Sequence, residues 1–214
     1  FDANLARFLS FDQAGNLFVA DILGQTARRY DKNGTLTATY NLGGSGAIGI
    51  DLGADQCTLY FTRGFSSVKR WDVCQNQALG DLGNVLPYPI PGAIRVLPGG
   101  NVLVADIVGG VFVLDSGGAV VHTFPIVERY LALNLSGQQF WAAPGGTDVV
   151  HQVDLATGTV LSTIHTGFDE VTGLGVAGEP RAALAPSIPM LTPLTVVLLA
   201  VALGLVALVR LRAP

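Results

Sequence analysis

Cys57 and Cys74 are the only cysteines of the chain. Cys57 opens the alternating stretch CTLYFT and Cys74 closes VKRWDVC. An antiparallel hairpin turning at residues 65 and 66 sets the two opposite each other, where cross-strand Cβ atoms lie about 4.5–5.5 Å apart. The spacing predicts a disulfide, which an extracytoplasmic compartment permits. Closing a loop of this size stabilises by about 3 kcal/mol in the chain-entropy treatment. A zinc site would need further ligands, and no histidine is close in sequence.

Asp21 and Asp106 occupy the same place in two VAD segments. Such carboxylates serve one of two ends. They face a channel and hold Ca²⁺ or Zn²⁺, or they accept hydrogen bonds from turn amides. Repetition favours the turn, since a catalytic site does not need the same group in every unit. Asp12, Asp51 and Asn134 are weaker candidates of the same kind. His122, His151 and His165 are separated by 29 and 14 residues, which gives no metal-ligand pattern. Glu128, Glu170 and Glu179 lie in no motif. Gly-x-Ser-x-Gly, P-loop and dinucleotide fingerprints are absent. Catalytic, cofactor and metal residues are therefore all assigned as none.

The elements that carry these residues repeat. LFVAD (17–21), LYFTR (59–63), VLVAD (102–106) and FWAAP (140–144) align, each followed by an apolar residue and an aspartate. Those aspartates, Asp31, Asp72, Asp115 and Asp154, step by 41, 43 and 39 residues. A leading strand precedes each segment, at 7–11, 47–52, 93–97 and 130–135, and a fifth copy appears at 171–176. Four short strands per unit of about 40 residues define a β-propeller blade. Helical repeats would need longer runs of 3.6 periodicity. The expected blades are 7–43, 46–84, 93–126 and 130–167, within a propeller region 1–178, with 171–176 as a closing strand.

Phe11 to Gly34 and Val96 to Gly118 resemble NHL-type repeats, and more widely the gluconolactonase/regucalcin-like propellers. The resemblance implies an all-β propeller. Such rings usually have six blades, so the four visible blades are expected to be part of a larger ring, the alternatives being a native arc or a four-bladed ring. For the lactonase-like members it implies Ca²⁺ or Zn²⁺ on Glu, Asn and Asp oxygens, a pattern that does not map onto residues here.

The chain has 13% charged residues and a mean hydropathy of +0.47, against about 25% charged in an ordinary soluble domain. The excess of apolar residues has a local source. Residues 191–209, LTPLTVVLLAVALGLVALV, contain no charge, and a helix of that length spans about 28 Å, close to the hydrocarbon core. Arg210 and Arg212 follow as a membrane stop, which places the C-terminus in the cytoplasm and the propeller outside it. The segment 179–190 is a Pro-containing linker. Ile188, Pro189, Met190, Leu191, Thr192 and Pro193, followed by the apolar run and the basic end at 210–214, resemble the IPTL type of PEP-CTERM sorting tail. That resemblance implies an exosortase-like protease as partner. Twelve Lys and Arg against sixteen Asp and Glu give a net charge of −4, with no basic cluster to neutralise phosphates, so nucleic acid is not an expected partner.

These features together predict an exported, membrane-tethered propeller of the bacterial envelope that binds a protein or glycan ligand without catalysis. A metal-dependent lactonase and a structural envelope component are the alternatives.

Overall fold

A computed structural model of the chain describes residues 6–44, 47–64, 67–83, 90–177 and 179. They form sixteen strands and, among the described residues, no helix. The strands fall into four antiparallel sheets of four, each a simple meander. The first blade holds β1 (Ala6–Phe11), β2 (Leu17–Asp21), β3 (Thr26–Tyr30) and β4 (Leu36–Asn41). The second holds β5 (Gly49–Leu52), β6 (Thr58–Arg63), β7 (Ser67–Asp72) and β8 (Gln77–Leu82). The third holds β9 (Pro91–Val96), β10 (Val102–Asp106), β11 (Gly110–Leu114) and β12 (Val120–Phe124). The fourth holds β13 (Tyr130–Leu133), β14 (Gln139–Ala143), β15 (Val149–Asp154) and β16 (Val160–His165). This is a four-bladed β-propeller.

Alternation along each strand gives every blade two apolar faces, and burial follows from stacking them. Phe18, Ala20, Ala27 and Tyr40 of the first blade pack on Ile50, Leu52, Leu59 and Phe61 of the second. Val68 and Leu82 meet Ile94, Val102, Val104 and Leu114 of the third. Leu103, Ala105, Val111 and Phe124 meet Leu131, Leu133, Phe140 and Ala142 of the fourth. The middle strands β10 and β11 are buried along their whole length.

Three expectations are corrected. Residues 171–176 form no strand ladder. Glycines at 173 and 175 leave no side chains to pack there and make extended pairing costly. The segment is instead held by Val171, whose N–H donates to the Thr147 carbonyl at 2.9 Å, and which packs with Tyr130, Ala143 and Val150. Second, Cys74 does not close a strand. β7 stops at Asp72, whose Oδ1 accepts the amides of Cys74 at 2.9 Å and Gln75 at 2.8 Å, a bonding pattern that turns the chain. Third, the hairpin register pairs Thr58 with Asp72, so Cys57 lies opposite Val73 rather than Cys74. The disulfide Cys57–Cys74 forms across this one-residue offset, with Cα atoms 5.2 Å apart.

No helix among the described residues is long and apolar enough to cross a membrane. The run 191–209, the motif 188–193, Arg210 and Arg212 lie outside the described residues.

Candidate functional site: a polar cluster at one mouth

The innermost strands β1, β5, β9 and β13 share a register. Leu9, Ile50, Ile94 and Leu131 are equivalent, each paired with the third residue of its LFVAD-type segment. The next position in each strand is Ser10, Asp51, Arg95 and Ala132. A serine, a carboxylate and a guanidinium are thus set at equivalent positions on three neighbouring inner strands.

Asp51 joins them. Its Oδ1 accepts the Ser10 hydroxyl at 2.9 Å and the Leu52 amide at 2.9 Å. Its Oδ2 accepts the Val96 amide at 2.7 Å. The carboxylate therefore ties the second blade to the first and the third. Arg95 extends the network. Its Nε donates to Glu179 Oε1 at 2.8 Å and its Nη1 donates to the Ile94 carbonyl at 2.8 Å. The same Glu179 oxygen accepts the Leu133 amide of the fourth blade. All four blades meet in this one cluster, the fourth through Glu179.

The residue Asp51 keeps partial contact with a cavity, yet protein encloses its carboxyl group, and that enclosure governs its titration. Burial pushes the Asp51 carboxyl up from the ordinary range; Arg95 and the bonds from Val96 and Ser10 oppose the rise, and Glu179 adds to it. The cavity has a volume of about 820 Å³. Leu9, Leu52, Leu174 and Val176 give it apolar walls beside Asp51, Arg95 and Glu179. Apolar walls with a few convergent polar groups are the usual form of a ligand pocket. The opposite mouth, where the inner strands begin, holds a pit of about 80 Å³, bordered by Ile22, Ile48, Ile90 and Ile107.

The other candidates lie apart from this cluster. Asp21 Oδ1 accepts the amides of Leu23 at 2.9 Å and Gly24 at 2.8 Å. Asp106 Oδ1 accepts those of Val108 and Gly109, both at 2.9 Å, and its Oδ2 takes the Ile90 amide at 3.0 Å. Both aspartates are buried and hold turns. Asp12 bonds Asn16 and forms an ion pair with Arg29 at 3.0 Å. Burial alone would raise its carboxyl, but the Asn16 bonds and the Arg29 charge outweigh that and hold it below the ordinary range. Asn134 accepts from Ser136 and donates to Gln139.

The histidines are dispersed. His122 stacks obliquely on Phe124, and His165 faces Asp148 at 3.3 Å. His151 Nδ1 lies 2.8 Å from Glu128 Oε1. Glu128 is buried, and burial pushes its carboxyl up against the opposing pull of His151. Glu170 accepts the Gly146 amide at 3.3 Å. Among the described residues, no three His, Cys, Asp or Glu side chains gather as metal ligands. At the mouth, Arg95 already occupies the Glu179 oxygen that a cation would seek.

Ser10, Arg95 and Glu179 escape a motif search because each stands alone in an apolar strand or linker. The signal that finds them is positional: with leading strands aligned as FLSF, GIDL, AIRV and YLAL, the third column alone carries polar residues in three of the four.

No protein-family profile matches this sequence. No curated protein matches it either. Solved structures do share the fold. The hydrazine synthase of Kuenenia stuttgartiensis matches with a TM-score of 0.60 at 20% identity, over 77% of this chain and 51% of that one. A protein of unknown function from Bacteroides caccae matches with a TM-score of 0.57 at 13% identity, over 76% of this chain and 61% of that one. The chain thus spans between half and two thirds of the solved chains it resembles. Likeness at this identity identifies a β-propeller and carries no activity with it.

Proposed function

We propose that this propeller is an exported, membrane-tethered binding module of the bacterial envelope, without catalysis of its own, and that its ligand enters the mouth where the inner strands end. The observation that carries the reading is the cavity of about 820 Å³ bordered by Asp51, Arg95 and Glu179. Its polar groups are bonded to one another and to backbone amides, which suits a rigid recognition surface rather than a reactive centre. A glycan or a polar peptide segment offers the matching hydroxyl, amide and apolar groups.

The disulfide supports export, because such bonds persist in oxidising compartments. The uncharged run 191–209 with Arg210 and Arg212 supports the tether, and the IPTL-like order at 188–193 supports handling by an exosortase-like protease. NHL-type kinship and a larger ring belong to the same proposal.

Leu174 borders the cavity, so Leu174→Trp narrows it without removing any member of the polar cluster. Against an array of envelope glycans and peptides, the unmodified protein is expected to retain at least one ligand class, and Leu174→Trp to lose it at least tenfold. No retained ligand, or equal retention by the variant, overturns the reading.

A further inference from the structure

Among the described residues, six exposed large apolar side chains lie in loops rather than strands: Leu23, Ile90, Val108, Val127, Leu135 and Phe168. All but Leu135 stand at the mouth where the inner strands begin. Leu23 and Val108 cap the β2–β3 and β10–β11 turns, Ile90 and Val127 precede β9 and β13, and Phe168 follows β16. Leu23 is 63% exposed, Val108 53% and Phe168 73%. Ile22, Ile48 and Ile107 continue the apolar surface inward, around the pit of about 80 Å³. Blades stack through the faces of their sheets, so loop tips at a mouth stay uncovered however many blades a ring contains.

Two features separate these loops from ordinary turns. The first is composition. Turns favour Gly, Pro, Asn, Asp and Ser, whereas Asp21-Ile22-Leu23-Gly24 and Asp106-Ile107-Val108-Gly109 put two aliphatic residues at the tip in two different blades. The second is that the tip amides need no water. The Leu23 N–H donates to Asp21 Oδ1 at 2.9 Å and the Val108 N–H to Asp106 Oδ1 at 2.9 Å. The Ile90 N–H donates to Asp106 Oδ2 at 3.0 Å and the Phe168 N–H to Thr166 Oγ1 at 3.3 Å. Moving such a residue out of water buries apolar surface without stranding its backbone donor.

The rest of the chain says what these tips meet. The uncharged run begins at Leu191, twelve residues beyond Glu179. That length of chain reaches at most about 40 Å, so the tether holds the propeller close to lipid and raises the effective concentration of a bilayer at its surface. Charge at this mouth is mixed. Arg63 and Arg129 lie half-buried over Phe61 and Tyr130, while Asp169 and Glu170 adjoin Phe168. Anionic headgroups therefore gain little here, and the apolar side chains carry the contact.

We propose that this mouth is a lipid-docking face, at which Leu23, Val108 and Phe168 enter the interface of the tethering bilayer and leave the polar cluster at the other mouth open to ligand. The proposal rests on the tethered reading above.

The test reconstitutes the full chain in phosphatidylcholine vesicles, with one tryptophan added by Leu23→Trp, Val108→Trp or Phe168→Trp, or by Leu135→Trp at the other mouth. Each substitution leaves the turn bonds of Asp21 and Asp106 in place, and Trp71 and Trp141 give every variant the same background. Lipid brominated on its acyl chains quenches a tryptophan that touches them. The added emission of the three tip variants is expected to fall at least threefold in brominated vesicles, and equally in about 1 M salt, while that of Leu135→Trp holds. Equal quenching at both mouths, or none at either, overturns the proposal, as does quenching that requires anionic lipid or vanishes in salt. Tip emission that is shifted to the blue but unquenched also overturns it, since protein then covers the face. A chain that does not float with the vesicles overturns the tether and the docking face together. A chain that floats with unquenched tips overturns the docking face alone.

Discussion

Two buried aspartates in equivalent VAD segments carry different numbers of backbone bonds, and their energetics should differ accordingly. Asp106 accepts three amides, from Val108, Gly109 and Ile90. Asp21 accepts two, from Leu23 and Gly24. Removing a buried acceptor leaves each donor short of a partner. Asp106→Ala is expected to cost about 3 kcal/mol and Asp21→Ala about 2 kcal/mol, measured by urea unfolding. Equal costs would show that the Ile90 bond contributes nothing. Asp51 gives a prediction of another kind. Its folded-state pKa lies above the unfolded value, chiefly through burial, so the folded chain holds the proton where the unfolded chain has released it. Stability then falls as pH rises from the ordinary carboxylate range through the raised value, and is level beyond it. Asp51→Asn stays neutral and should lose that part of the slope in melting temperature above the ordinary carboxylate range. Glu128 is raised in the same direction and leaves a residual slope in the variant. An unchanged profile would place the Asp51 carboxyl in a more open setting than the cluster shows.

At the level of strands and turns, the repeat aspartates explain the blade period. Asp31, Asp72, Asp115 and Asp154 each bond the amides of the turn that follows the third strand. A short carboxylate that accepts two amides ends one strand and aims the next, so one aspartate per blade is a local requirement and visible in sequence. The disulfide binds this turn in the second blade to the start of β6. Reducing it frees a closure of 17 residues and should cost about 3 kcal/mol, lowering the melting temperature by roughly 5–10 °C. No shift on reduction would mean that the turn holds its geometry through Asp72 alone. The pairing of Cys57 with Cys74 was legible from spacing, but its register was not, because the β6–β7 ladder sets Cys57 opposite Val73 and Cys74 follows in the turn held by Asp72. Strand order was legible for the same reason as the turns: both are set within a few residues. The polar cluster at the mouth was not, since Ser10, Asp51, Arg95 and Glu179 are joined only when four distant segments converge, and each taken singly has a bland structural explanation.

Across the whole molecule, most apolar packing runs between successive blades, with Phe8 and the polar cluster as the links beyond them, so stability should spread along the chain largely as in a linear array. The third blade is flanked on both faces, by the second and the fourth, and its β10 and β11 are wholly buried. Among the described residues the fourth has a whole blade against one face, while Phe8, Val171 and Leu174 meet part of the other, and all six residues of β16 are exposed. Opening free energies should follow this gradient. Amides of β10 and β11 are expected to exchange with the slowest rates in the protein, through global unfolding, and those of β16 the fastest of any strand. Substitutions should divide the same way. Leu103→Ala empties a fully buried site between the third and fourth blades and should cost about 3 kcal/mol, lowering protection everywhere. Ile164→Ala removes a half-exposed side chain and should stay within about 0.5 kcal/mol, altering protection in β15 and β16 alone. Uniform exchange across all four blades would contradict the array picture, because the fourth blade would then be covered as well as the third.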